Sequence, residues 1–277
     1  MNRPCLFLLL TIIAFLINCK SGFSQSFQLP SVFIEELTWT ELDSAFNSGV
    51  KTIIIPTGGT EQNGPHMVLG KHNFRVKYLA KEIAIELGDA IIAPTIAYVP
   101  EGGIDPPNGW MKFPGTIHLP EEYFIKLLEY ASRSFNFHGF KDIILIGDSG
   151  GNQNGMKVIA EQLNEEWKDT KTRVHYISKF YTAWTPFEKS LAEEGLDPKY
   201  FGSHAGLTDV SSLLAIDQDL LRTDIMKKLG YNDEENRTLG FSGNPSMATV
   251  EIGQRLNEAV IIESVEQIIW LKKENRR

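Results

Sequence analysis

Apolar and polar positions change rhythm at regular intervals along the chain. "TIIIPT" (52–57) is a short β-type run stopping at Pro56. Val76, Leu79, Ala80, Ile83 and Leu87 then recur at helical spacing and end at Gly88, a good C-cap. "AIIAPTIAYV" (90–99) predicts a strand leading into a loop. Pro120 and two acids open a helix carried by Phe124, Leu127, Leu128, Ala131 and Phe135. "DIILIG" (142–147) is the next buried strand. Met156, Ile159, Ala160, Leu163 and Trp167 mark another helix, and "RVHYISKF" (173–180) a further strand. Strand and helix alternate, so the pattern predicts an α/β fold with a mostly parallel sheet between helices. No internal repeat or low-complexity linker interrupts it. The Gly/Pro-rich stretch 100–115 is a long excursion of the kind that forms a lid or a subunit contact.

Ligands bind beyond the carboxyl ends of strands in such a sheet. Two polar loops fall there, "PTGGTEQNGPHMVLGKHN" after the first strand and "GDSGGNQNG" after "DIILIG". The first holds Glu61, Asn63, His66 and His72, carboxylate and imidazole groups suited to a borderline cation. Each alone reads equally as a surface or structural group. The second contains the GDSGG string of trypsin-like proteases, but it runs into a helix and no β-barrel pattern precedes it. It also fits the G-x-S-x-G elbow of α/β-hydrolases, which needs a late acid and histidine; only His175 and His204 follow Ser149. A phosphate cradle lacks the Walker lysine, and Asp148 opposes an anion. The plain reading is a tight strand-to-helix turn. A third segment, "GSHAGLTDVSSLLA" (202–215), sets His204 and Asp209 before an apolar helix, where Asp209 could equally be its cap.

The start of the chain bears on location. Arg3, the apolar "CLFLLLTIIAFLIN" and a small-residue site at Gly22–Ser24 predict a secretory signal peptide over residues 1–24, with 25–277 as a single domain. Lipid attachment at Cys19 is the rival reading. Cleavage removes both cysteines, Cys5 and Cys19, and with them any disulfide or thiolate chemistry. It also lowers the 27 basic residues to 25 against 35 acidic, a net charge of −10. That balance argues against nucleic acid as a partner. Nothing after the leader is apolar enough for stable membrane insertion.

Three segments in this order resemble the creatininase (creatinine amidohydrolase) family, whose members carry E-Q-H-G-P-H-x-P, N-G-H-G-G-N and H-A-G-E-x-E-T-S. Here they read Glu61-Gln62-Asn63-Gly64-Pro65-His66, Gly147-Asp148-Ser149-Gly150-Gly151-Asn152 and His204-Ala205-Gly206-Leu207-Thr208-Asp209-Val210-Ser211. "FPGT" (113–116) and "GFSGNPSMATVEIGQRL" are secondary matches, and the pattern is collinear from about residue 32. The resemblance implies a three-layer α/β/α sandwich and a symmetric homo-oligomer. It also implies a metal-dependent hydrolase that opens amide or cyclic amide C–N bonds of a small molecule. Glu61 matches a family metal ligand. Asn63 and Ser149 stand where the family has ligand histidines, His72 where it has a bridging aspartate, and Asp209 where it has a longer acid. These departures lead to the expectation of one divalent ion, Zn or Mn, rather than two. It would be held by Glu61, His72 and Asp209, with His204 as catalytic base. Asn63, His66, Asp148 and Ser149 are expected to line the pocket or substitute as ligands. Glu101, Trp110 and His118 are weaker pocket candidates, and Asn152 is expected to order its loop. The expected setting is periplasmic or secreted. The alternatives are a non-catalytic exported binding protein on the same fold and a serine hydrolase using Ser149.

Overall fold

The apolar runs at 52–57 and 142–147 become adjacent parallel strands, β1 (Thr52–Thr57) and, after three shorter strands, β5 (Asp142–Gly147). The structure is a computed structural model that describes residues 29–274. The leader expected at 1–24, including Cys5 and Cys19, lies outside the described residues. Around the central pair, β2 (Ala90–Ile92) flanks β1 and β6 (Arg173–Tyr176) flanks β5, in the order β2-β1-β5-β6, all parallel. β3 (Gly102–Ile104) and β4 (Pro107–Gly109) form a separate antiparallel hairpin inside the long excursion.

Successive side chains of a strand point to opposite faces, so parity along β1 and β5 assigns the layers. Ile53, Ile55, Ile143 and Leu145 pack against α1 (Trp39–Asn47), α3 (Glu121–His138) and α4 (Asn152–Glu166) through Ala45, Phe124, Leu128, Met156 and Ile159. Ile54, Ile144 and Ile146 face α2 (Lys71–Leu87), α5 (Ser178–Thr182) and α6 (Trp184–Glu193). They also face the long α10 (Val250–Glu274). Burial on both faces explains why these strands read as unbroken apolar runs. The result is the expected three-layer α/β/α sandwich. A smaller apolar cluster, including Met67, Val210, Leu213 and Phe241, seats α7 (Leu207–Ile216) against the loop after β1. The short α8 (Thr223–Met226) and α9 (Asp233–Thr238) lead from there to α10.

Two boundaries differ from expectation. The strand expected over 90–99 is regular only to Ile92, then touches β1 once more at Ile96. Pro94 lacks the N–H that a continued ladder requires. The strand expected over 173–180 stops at Tyr176 because Ser178 opens α5.

From β1 the chain crosses through α2 to β2 on one side. From β5 it crosses through α4 to β6 on the other. The order therefore reverses between β1 and β5, whose ends are in register at Thr57 and Gly147. A crevice opens at such a switch point, and the two polar loops leave the sheet there.

Candidate functional site

α2 begins against the usual electrostatic rule. A helix N-terminus carries partial positive charge and favours acids, yet the first turn of α2 has none, and Gly70 offers no side-chain cap. Instead Lys71 and His72 occupy it and Arg75 follows one turn on, all buried. Three carboxylates from three other segments gather in front of them. Glu61 comes from the loop after β1, Asp148 from the end of β5 and Asp209 from the first turn of α7.

Their pairing is dense. The Arg75 Nε donates to Asp148 Oδ1 and Oδ2 at 2.9 and 3.0 Å. Its Nη1 donates to Asp209 Oδ1 at 2.5 Å. The Trp184 ring lies 4.6 Å from the guanidinium carbon. Lys71 Nζ donates to Asp209 Oδ2 at 2.5 Å and stands 3.8 Å from Glu61 Oε1. The backbone N–H of Ala205 also donates to Asp209 Oδ2, at 2.8 Å. His72 bridges two acids, with Nε2 2.7 Å from Glu61 Oε1 and Nδ1 2.5 Å from Asp148 Oδ2. An ionised carboxylate only accepts, so both ring nitrogens donate and His72 is an imidazolium. Burial and the Lys71 charge oppose that state, but Asp148 and Glu61 outweigh them and hold the His72 pKa at about 9. Burial likewise works against the Glu61 anion, but the hydrogen bond and charge of His72, with Lys71, bring its pKa to about 2. Asp148 and Asp209 are lowered by their cations against the cost of burial. Three anions therefore face three cations.

This cluster forms one wall of a cavity of 670 Å³, which Glu101, Trp110, Ser149, Tyr181, Trp184 and Glu188 also line. The excursion at 100–115 supplies its outer wall. Trp110 stacks on His204, with centroids 4.2 Å apart and planes 20° apart. His204 Nε2 lies 2.8 Å from the Gln62 carbonyl, so it carries the proton, which leaves Nδ1 as the lone pair, 3.6 Å from Glu61 Oε1. Burial and the Lys71 charge lower the His204 pKa to about 4, so the ring is neutral. Glu101 is buried, and among the described residues its Oε1 has no hydrogen-bond partner. Burial, then the Glu61 charge, pushes its pKa up to about 8. The carboxyl fits because Gly59 has no Cβ; one would lie 2.3 Å from Glu101 Oε1. Ala205, between His204 and the start of α7, has φ +52°, a left-handed conformation that a non-glycine residue adopts at some cost.

Of the residues expected from sequence, Glu61, His72, Asp148, Ser149, His204 and Asp209 reach this cavity. Asn63 and His66 do not line it. Gly64, with φ +66°, turns the loop so that both point inward. Asn63 Nδ2 donates to the carbonyls of Glu61 and Val68 at 2.8 and 3.0 Å, and His66 Nε2 lies 2.9 Å from the Ala205 carbonyl. His118 accepts from the Glu101 N–H at 3.2 Å and so supports that segment. Asn152 orders its loop by donating to Thr57 and Gly58. The hydroxyl of Ser149 accepts from the Gly151 N–H at 3.3 Å, and among the described residues none of its hydrogen bonds runs to a histidine. His175 pairs instead with Asp142, at 3.0 Å, at the opposite end of β5.

Lys71 and Arg75 are the residues that sequence reasoning missed. A signal was present: positions 72, 75, 76, 79 and 83 share one helical stripe, so His72 and Arg75 lie in line with the apolar face of α2. Glu101 and Trp110, the weaker pocket candidates, also line the cavity, and the burial of Glu101 depends on the excursion folding back.

The expected ion-holding set of Glu61, His72 and Asp209 is gathered, but not onto an open point. Both nitrogens of His72 carry protons and both oxygens of Asp209 accept from cations. The Lys71 ammonium stands between Asp209 and Glu61. Among the described residues, no three His, Cys, Asp or Glu side chains are placed to hold an ion. As arranged, the donors do not fit a divalent metal.

The sequence model of creatininase, described as creatinine amidohydrolase, matches residues 35–268. A mycofactocin precursor peptide peptidase of Mycolicibacterium smegmatis is 25% identical over 78% of this chain and 84% of its own length. The creatinine amidohydrolase of Pseudomonas putida is 25% identical over 70% of this chain and 75% of its own. A crystal structure of creatinine amidohydrolase superposes with TM-score 0.69 at 21% identity, covering 86% of this chain and 97% of that one. Related solved structures, both at TM-score 0.67 and 22% identity, are a creatininase variant of Zn–Zn type and a creatininase with Mn.

Proposed function

Since the chain belongs to the creatininase family of amidohydrolases, we propose that it hydrolyses an amide or cyclic amide C–N bond of a small polar molecule held in the cavity. The observation that carries this reading is that neutral His204, Glu61 and the buried carboxyl of Glu101 line the same cavity at the switch point of the sheet. The free Nδ1 of His204 takes a proton from the attacking water. Trp110 and the Gln62 carbonyl hold the ring in the tautomer that leaves Nδ1 bare. Glu101, protonated below about pH 8, supplies the proton that the leaving nitrogen needs. Glu61 accepts from His72 and orients substrate hydrogens on the His204 side.

The Zn and Mn forms of solved creatininases support a divalent ion as the family cofactor. When bound, such an ion acidifies a water and polarises a carbonyl. The donor set here pairs with cations instead, so no step is assigned to it. Export through the 1–24 leader to the periplasm or outside, and assembly as a homo-oligomer, belong to the same proposal. They rest on the leader pattern and on the family.

The names of the two relatives set the arms of the test. Purified protein is offered lactams, cyclic ureas and imides, simple amides and short peptides, with turnover followed by mass change. Hydrolysis in at least one arm, lowered about 100-fold or more by His204→Ala and by Glu61→Gln, is expected. Binding without turnover in every arm would replace this reading with the non-catalytic binding protein. Loss with Ser149→Ala alone would restore the serine hydrolase.

A further inference from the structure

We infer that Lys71 and Arg75 are built-in replacements for a bound divalent ion, so that this chain's site is complete without one. The inference concerns the same site as the hydrolase reading but not its turnover. It rests on position first. The Lys71 ammonium is 2.5 Å from Asp209 Oδ2 and 3.8 Å from Glu61 Oε1. An ion bound to both carboxylates at about 2.0–2.2 Å would overlap it. Arg75 closes the other side by engaging Asp148 and the second oxygen of Asp209. Neither cation has an easy way out. Lys71 is 1% exposed and Arg75 2%, and the guanidinium is held over Trp184.

Charge points the same way. Two basic side chains, at a helix end that already carries positive potential, balance acids that a dication would otherwise need to neutralise. Adding two positive charges would leave the buried cluster in excess. The three acids come from distant segments, so their convergence on α2 serves the ammonium and guanidinium directly. Lys71 and Arg75 thus supply the fixed positive charge that elsewhere comes from an ion.

Metal content and thermal unfolding test this without reference to activity. Protein purified without chelator should hold only substoichiometric Zn or Mn by elemental analysis. Its Tm should not move with excess Mn²⁺ or Zn²⁺ or with a chelator. Lys71→Ala, which frees Asp209 and Glu61, should melt lower than the parent and regain roughly 5–10 °C in saturating Mn²⁺. Lys71→Arg should stay unresponsive. One or two equivalents of metal in the unmodified protein, with a Tm that falls on chelation, would overturn the inference. That measurement decides the matter even if Lys71→Ala does not fold. A metal-free protein that fails the hydrolysis screen would instead retire the hydrolase reading and leave this one intact.

Discussion

Arg75 shows how much one side chain can hold. Its guanidinium meets both oxygens of Asp148 and one of Asp209, inside the protein and against an aromatic face. Removing one partner of a buried pair leaves the other charge desolvated and alone, which costs about 3–5 kcal/mol. Arg75→Ala, which strands two aspartates, should therefore destabilise by about that amount in urea unfolding. Arg75→Lys should recover only part of it, because an ammonium cannot reproduce the planar fork. A change below about 1 kcal/mol for Arg75→Ala would mean that the aspartates find other partners. The single residue was readable in the sequence as a charge on an apolar stripe. Which acids it meets was not, since those lie 73 and 134 residues away.

Among the elements, α2 and α7 present their first turns to each other's charges, and α10 fixes α7 in place. The contact of α10 with α7 is close because Gly253 has no side chain; a Cβ there would lie 1.8 Å from the Ser211 carbonyl oxygen. Glycine to alanine inside a helix normally stabilises by about 0.5–1 kcal/mol. At Gly253 the sign should reverse. Gly253→Ala should cost about 1–3 kcal/mol by calorimetry through overpacking, and the shift of α7 should carry Asp209 with it. Stabilisation by this change would show that the two helices can part without loss. The sequence displayed α2, α3 and α4 through their periodicity. The strand expected at 90–99 shortened because a proline cannot sit in a ladder, which alternation of apolar residues does not reveal.

For the protein as a unit, stability should depend on pH through the buried cluster. His72, with its pKa near 9 against 6.5 unperturbed, and Glu101, near 8 against 4.5, both keep protons in the folded chain that the unfolded chain releases. The stability His72 contributes is therefore lost between pH 6.5 and 9, and that of Glu101 between pH 4.5 and 8, each by at most about 1.4 kcal/mol per pH unit. Glu61, lowered to about 2, and His66 and His204, both lowered to about 4, act oppositely. Glu61 makes stability rise between about pH 2 and 4.5, and the two histidines between about pH 4 and 6.5, where together they outweigh the opposing Glu101. The Tm should peak near pH 6–7, and His72→Gln should flatten the alkaline limb. A Tm that is level or climbing between pH 6.5 and 9 would contradict the imidazolium assigned to His72.

The layers and the place of the crevice were legible in the chain before any folding was considered. Strand parity, helical stripes and the order of elements are local properties, and they fix which faces must be buried. Polar residues at the two strand ends and before α7, together with the family resemblance, brought forward Glu61, His72, Asp148, Ser149, His204 and Asp209. Their partners were settled only in three dimensions. Asn63 and His66 turned inward to brace a loop, Glu101 entered from the excursion, and Lys71 and Arg75 took the centre of the acids. Such pairings join residues far apart in the chain, and the low-dielectric interior gives them their strength. Neither distance nor dielectric exists until the fold has closed.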